Sequence, residues 1–197
     1  MNLIGAILLA AGESTRLGQP KQLIQFEGTS LVRRATLAAL SSECSSVIVV
    51  LGANQELVKP ELNLLSIRIV ENQNWKEGMA SSLRAGLEAL SAETNGEAEA
   101  AIIMLCDQPM VTSEVLNRIV QRFLSTRTAL VASEYENTLG VPALFRRDLF
   151  PTLLALKGAE GAKKAIAKYR NQAEIVPFPQ GSFDIDTPED LLRLARE

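Results

Sequence analysis

The sequence predicts an open α/β three-layer fold, with a mostly parallel central sheet covered by helices on both faces. Strand-length apolar runs alternate along the chain with amphipathic segments of helical period. Most of those runs are continuously apolar rather than alternating, as strands buried on both faces must be. A length of 197 residues, 47% of them hydrophobic, suits one domain built around one core.

The first expected strand, residues 4–9, runs into a loop of small residues and two glycines, Gly12 and Gly18. A helix is expected over 30–40, a strand over 46–51, a short helix over 54–57 and a strand over 67–70. The next helix covers 79–90, and the polar interval 91–99, with Asn95-Gly96, reads as a surface loop. A strand follows over 100–105. A helix over 113–124 then carries apolar residues at 115, 116, 119, 120, 123 and 124, one continuous stripe. Residues 129–132 form another strand. The remainder is less regular: a strand over 140–145 preceded by a glycine turn, and another candidate over 173–176. At the end Thr187 caps a helix, Pro188 takes its first position, and Glu189 and Asp190 sit in its first turn.

Composition excludes several functions. The formal charge is −3, and no block of Lys or Arg offers a nucleic-acid face. No apolar run approaches the roughly 18–20 residues that span a membrane. The start, Met1-Asn2-Leu3-Ile4, lacks a signal peptide's charged region. Cys44 and Cys106 have no metal spacing and are expected reduced, in a cytoplasmic protein. There is no histidine, which removes Ser-His-Asp and Cys-His nucleophilic sites and the usual zinc sites. Carboxylates, cations, backbone groups and a hard metal ion remain.

Ligands of open α/β sheets gather beyond the carboxyl ends of the strands. The glycine loop, the segment 72–82 and Asp107-Gln108-Pro109 all fall there. In the loop, Leu9-Ala10-Ala11-Gly12 lets a ligand approach the backbone, whose N–H groups can bind anions. Arg16 and Lys21 are placed to meet a phosphate chain, although exposed cations are the ordinary reading of such residues. The spacing is neither a P-loop nor G-x-G-x-x-G. Asp107, where an apolar strand runs out, suits a hard cation or caps a turn with Pro109. Asp186, with Asp184 two residues earlier, suits the same cation or serves as local capping. Ser81 and Ser82 follow Gly78 at a helix start, where hydroxyls and free N–H groups face outward. Arg33 and Arg34 read as a solvated face, Trp75 as core or a base-stacking platform, and Cys106 as buried and inert.

Leu9-Ala10-Ala11-Gly12 with Arg16, Gly18, Pro20 and Lys21 resembles the signature of nucleotidyltransferases with the glycosyltransferase-A-like, Rossmann-like fold. The segments 72–83, 105–109, 140–145, 158–163 and 184–190 narrow the resemblance to the molybdenum cofactor cytidylyltransferase (MocA-like) family, over residues 7 to 191. It implies one domain over 1–197, with a nucleotide-binding half at about 1–110 and an acceptor-facing half at about 111–197. It implies transfer of CMP from CTP, with Mg²⁺, to a phosphate-bearing acceptor such as molybdopterin, and contact with a molybdoenzyme. Arg16 and Lys21 then bind the triphosphate, Asp107 and Asp186 hold the metal, and Gly78, Met79 and Ser82 lie near base and ribose. Ala11 matches cytidylyl rather than guanylyl members, which tend to carry Leu-Ala-Gly-Gly. Val141 stands where some members have histidine, and Ala159 where many have an acid; both departures bear on the acceptor.

A phosphate monoester acceptor is already anionic near neutral pH and needs no general base, which accords with the missing histidine. Three rivals stand beside this reading: a sugar- or polyol-phosphate nucleotidyltransferase, a non-catalytic nucleotide-binding accessory protein, and a dinucleotide oxidoreductase.

Overall fold

The computed structural model describes residues 3–194. Met1 and Asn2, part of the signal-peptide reading, lie outside the described residues. Seven strands form one sheet: β1 (Ile4–Ala10), β2 (Ser46–Leu51), β3 (Arg68–Glu71), β4 (Ala100–Leu105), β5 (Leu130–Tyr135), β6 (Thr138–Arg146) and β7 (Glu174–Pro177). Their spatial order is β3-β2-β1-β4-β6-β5-β7, and only β6 runs against the others. The helices are α1 (Leu31–Leu40), α2 (Gln55–Val58), α3 (Met79–Glu93), α4 (Ser113–Thr126), α5 (Phe150–Leu154), α6 (Ala162–Lys168) and α7 (Pro188–Leu194).

β1 lies inside the sheet between β2 and β4, and all seven of its residues are buried. Its register, Gly5 against Ser46 and Ile4 against Ala100, aligns the carboxyl ends of β1, β2 and β4. Alternate residues divide the interior into two main clusters. Ala6, Leu8, Val49 and Ile102 face α1 and α4, whereas Ile7, Ile48, Val50 and Ile103 face α3, α5 and α6. A small third cluster joins Leu17, Phe26, Leu31 and Ile185. The expected single core is therefore split by the sheet itself. α3 lies close on β1 at Gly86, where a Cβ would sit 2.5 Å from Ile7 Cγ2.

Several local expectations need correction. The stretch 140–145 is part of the longer strand β6, and Gly140 lies within it. The turn is at Glu136 and Asn137, both at positive φ. A Cβ at Gly140 would sit 1.9 Å from the Tyr135 hydroxyl, so the glycine makes room for that side chain. α3 runs on to Glu93, into the expected loop. α5 and α6 had no expected counterpart; both are under two turns long, too short for a period to show. Arg33 and Arg34 are not a solvated face: Arg33 Nη1 donates to the Glu61 carbonyl at 2.6 Å. Arg34 Nε donates to the Pro109 carbonyl at 2.8 Å, and its guanidinium lies over Phe26. They pin α1 to the loops around it.

Candidate active site

The loop leaving β1 is held from beneath. Buried Gln22 donates through Nε2 to the carbonyls of Ala10 (2.9 Å) and Gly12 (2.8 Å). Ala53 N–H donates to the Ala11 carbonyl. Ser14 and Gly18 turn the chain at φ 60° and 71°, and Ser14 Oγ accepts from the Lys21 amide. Carbonyls of the loop are thereby engaged on the protein side.

The segment after β3 forms a second wall. Asn72 Oδ1 accepts from the Asn74 amide, while Nδ2 donates to Ser81 Oγ (2.8 Å) and Ser82 Oγ (3.0 Å). Both serines are buried rather than facing outward, because α3 docks this end on Asn72. Gly78 stands just before α3 at φ 105°, with the Gly158 carbonyl 2.4 Å from where a Cβ would be. The same carbonyl accepts from the Ala80 amide at 3.1 Å. Trp75 is neither core nor fully exposed; it lines the cavity, with Lys76 over its ring.

Asp107 lies in the turn just past the end of β4, and its carbonyl accepts from the Ile185 amide at 2.9 Å, which brings the 184–186 segment alongside. The Lys21 ammonium then bridges two carboxylates, at 2.6 Å from Asp107 Oδ2 and 2.9 Å from Asp186 Oδ1. Arg16 reaches the other Asp186 oxygen at 3.0 Å. Burial opposes the Lys21 charge, but Asp107 and Asp186 outweigh it and hold its pKa above the usual lysine range. Asp186 is partly withdrawn from water, yet Lys21 and Arg16 hold it below the usual carboxylate range. Asp190, not Asp186, does the local capping: its Oδ2 accepts from the amides of Asp186 and Thr187. Cys106 is buried as expected, and that burial pushes its thiol up to about 12.

These walls enclose a cavity of about 320 Å³. Leu9, Ala10, Ala11, Gly12, Lys21, Gly78, Met79, Ser82 and Asp107 all line it, and Asp186 and Arg16 join it through Lys21. Gln22 also lines the cavity and Asn72 stands behind Ser82; no local pattern marked Gln22, whereas Asn72 opens the expected strand-end segment 72–82. A second cavity of about 280 Å³ shares Leu9, Met79 and Leu105 with the first. Val141, Ala159, Lys163, Tyr135, Gln108 and Asp184 are among the other residues that line it. Restricted solvation and the facing Asp107 and Asp186 push Asp184 up to about 6.

The donors fit a hard divalent cation. Asp107 Oδ1 is buried with no hydrogen-bond partner among the described residues, and Asp186 stands across Lys21 from it. No group of three His, Cys, Asp or Glu side chains gathers among the described residues, so a cation there would be shared with a ligand's own oxygens, as Mg²⁺ commonly is.

The profile of the MobA-like NTP transferase domain matches residues 6–174. The chain belongs to that family. This NTP transferase domain is 30% identical to "Nicotine blue oxidoreductase" of Paenarthrobacter nicotinovorans, over 97% of this chain and 96% of the relative. It is 23% identical to the molybdenum cofactor cytidylyltransferase of Escherichia coli, over 98% and 95%. Among solved structures, the manganese complex of Rv0371C from Mycobacterium tuberculosis is similar at a TM-score of 0.79 and 26% identity, covering 99% of both chains. Among the described residues of the NTP transferase domain, no helix is long and apolar enough to cross a membrane.

Proposed function

We propose that this protein transfers CMP from CTP to a phosphate-bearing acceptor such as molybdopterin, with release of pyrophosphate. The observation that carries this reading is the meeting of the glycine loop, Lys21 and two aspartates at one cavity beyond the strand ends. Mg²⁺ would be held by Asp107 and Asp186, and when bound it would offset charge on the phosphate oxygens. A structural relative solved as a manganese complex supports a divalent ion in this fold. Backbone N–H groups of residues 10–12 and the Arg16 and Lys21 side chains would receive the triphosphate. Lys21 keeps its proton throughout, so it can exchange a carboxylate for a phosphate oxygen without losing charge. Gly78, Met79 and Ser82 would face base and ribose.

The acceptor would enter the second cavity, where Lys163 supplies a cation. Its phosphate oxygen attacks the α-phosphorus, a P–O bond forms, and the bond to the β-phosphate bridging oxygen breaks. No proton moves, so the chain's residues act by positioning and by charge. Passage of the product to a molybdoenzyme in the cytoplasm belongs to the same proposal.

A second reading, oxidoreduction of an organic substrate in the mainly apolar second cavity, is favoured by the name of the 30% identical relative. One experiment separates the two: pyrophosphate release measured with Mg²⁺ and each of four ribonucleotides, with and without molybdopterin. Binding would be followed in parallel through Trp75, the one tryptophan of the chain and a wall of the cavity. Release only with CTP and molybdopterin supports the transfer, and Asp107→Ala should lower it about 10²-fold or more. Nucleotide binding without release under every pairing would overturn it for this acceptor. Oxidation of a reduced nicotinamide cofactor instead would establish the second reading.

A further inference from the structure

Asn72 belongs to none of the segments that would touch phosphate or metal, yet its side chain decides the hydrogen-bonding character of one wall of the nucleotide cavity. It is 6% exposed, and its amide group has three partners. Oδ1 accepts from the Asn74 amide at 2.9 Å, which fixes which end of the amide is which. Nδ2 must then present its two hydrogens to Ser81 Oγ and Ser82 Oγ. The two hydroxyls differ in what remains. Ser81 directs its proton to the carbonyls of Gly78 (2.8 Å) and Asn74 (2.9 Å). Ser82 accepts from Asn72 and has no acceptor for its own proton among the described residues, and it lines the cavity.

We infer that Asn72 is a positioning residue that holds Ser82 as a hydrogen-bond donor toward the nucleotide, so that the group facing Ser82 must be an acceptor, a ring nitrogen or carbonyl of the base or an oxygen of the ribose. The inference rests on the nucleotide site proposed above. An amide at position 72 can only donate to Ser82, which leaves the hydroxyl proton for the ligand. A carboxylate in its place can only accept, so it captures that proton and turns a lone pair toward the ligand. Asn72→Asp therefore reverses the polarity of Ser82 while keeping the size of residue 72 and the bond from Asn74.

The test measures nucleotide affinity through Trp75 emission in the presence of Mg²⁺, independent of any acceptor. It uses the unaltered protein, Asn72→Asp, Ser82→Ala, the double variant and Ser81→Ala, with thermal unfolding run on each. Loss of one neutral hydrogen bond weakens binding about three- to tenfold. Ser82→Ala should show that loss. Asn72→Asp should show it or more, since a lone pair then faces an acceptor. The double variant should be no weaker than Ser82→Ala alone, because Asn72 acts through a hydroxyl that is gone. Ser81→Ala should lower the melting temperature and leave affinity unchanged. Additive losses in the double variant, or an unchanged affinity in Ser82→Ala, would overturn the role of Asn72 while leaving the nucleotide site standing. Should Asn72→Asp fail to fold, Ser82→Ala still decides whether the hydroxyl is a donor to the ligand. Absence of binding by the unaltered protein would instead overturn the nucleotide site, and this inference with it.

Discussion

Replacing Lys21 by methionine removes the cation between two carboxylates while keeping a side chain of similar bulk. Lys21 and Asp107 are 17% and 12% exposed and their charged atoms are 2.6 Å apart. Stripping one partner from such a buried pair costs about 3–5 kcal/mol, because the remaining charge stays desolvated. Asp186 is 38% exposed, so its contact with Lys21 is screened and adds at most about 1 kcal/mol. Water can reach this end of the site through the exposed Arg16 and Asp186, which places the total near the lower bound, about 3 kcal/mol. For a chain of this size that lowers the melting temperature by about 6–12 °C. Magnesium should restore much of it, since a bound cation replaces the ammonium. An excess of about 100 times the dissociation constant contributes about 2.7 kcal/mol. The unaltered protein should gain less from the same titration, because there the ion competes with Lys21. The assay is thermal unfolding of both proteins across a magnesium series. A melting temperature of the variant within about 2 °C of the parent would refute the ion-pair account. A normal drop with no recovery in magnesium would refute the cation site at Asp107 and Asp186.

Three further outcomes follow from the geometry. Gly78→Ala must adopt φ 105° and push against the Gly158 carbonyl, so it should lose about 1–3 kcal/mol from the backbone alone. The freed loop should also be cut faster by trypsin at the exposed Lys157, and an unchanged digestion rate would contradict the docking of that loop on α3. Gln22→Leu leaves the buried Ala10 carbonyl without its donor and should cost about 1–3 kcal/mol in urea unfolding, together with weaker nucleotide binding. Stability and binding both at parental values would remove Gln22 from the support of the loop. Burial pushes Cys44 up to about 11 and Cys106 up to about 12, so at pH 8 their thiolate fractions are about 10⁻³ and 10⁻⁴. A disulfide reagent should therefore label neither in the folded protein and both after denaturation. Prompt labelling of the folded chain would show that a thiol is open to solvent.

What the sequence alone determined are the features encoded by neighbours in the chain. Continuous apolar runs specify strands buried on both faces, and the 113–124 stripe specifies a helix on that sheet. Small residues directly after a strand specify a loop that a ligand can approach, and strand ends specify where the site lies, so Leu9 to Gly12, Lys21 and Asp107 were legible. Short helices such as α5 and α6 leave too few turns for a period, and β6 could be found but not its antiparallel direction. Only the tertiary structure decided which charges meet. Lys21 and Asp186 are 165 residues apart, and they pair because the Asp107 carbonyl binds the Ile185 amide and carries the late segment to the end of β4. Gln22 beneath the loop, Asn72 behind two serines and the half-buried Arg34 are of the same kind. Each is a polar residue whose partner is a backbone or hydroxyl group that any sequence could supply, so its role is set by the packing that brings the two together and by the cost of leaving either one unpaired.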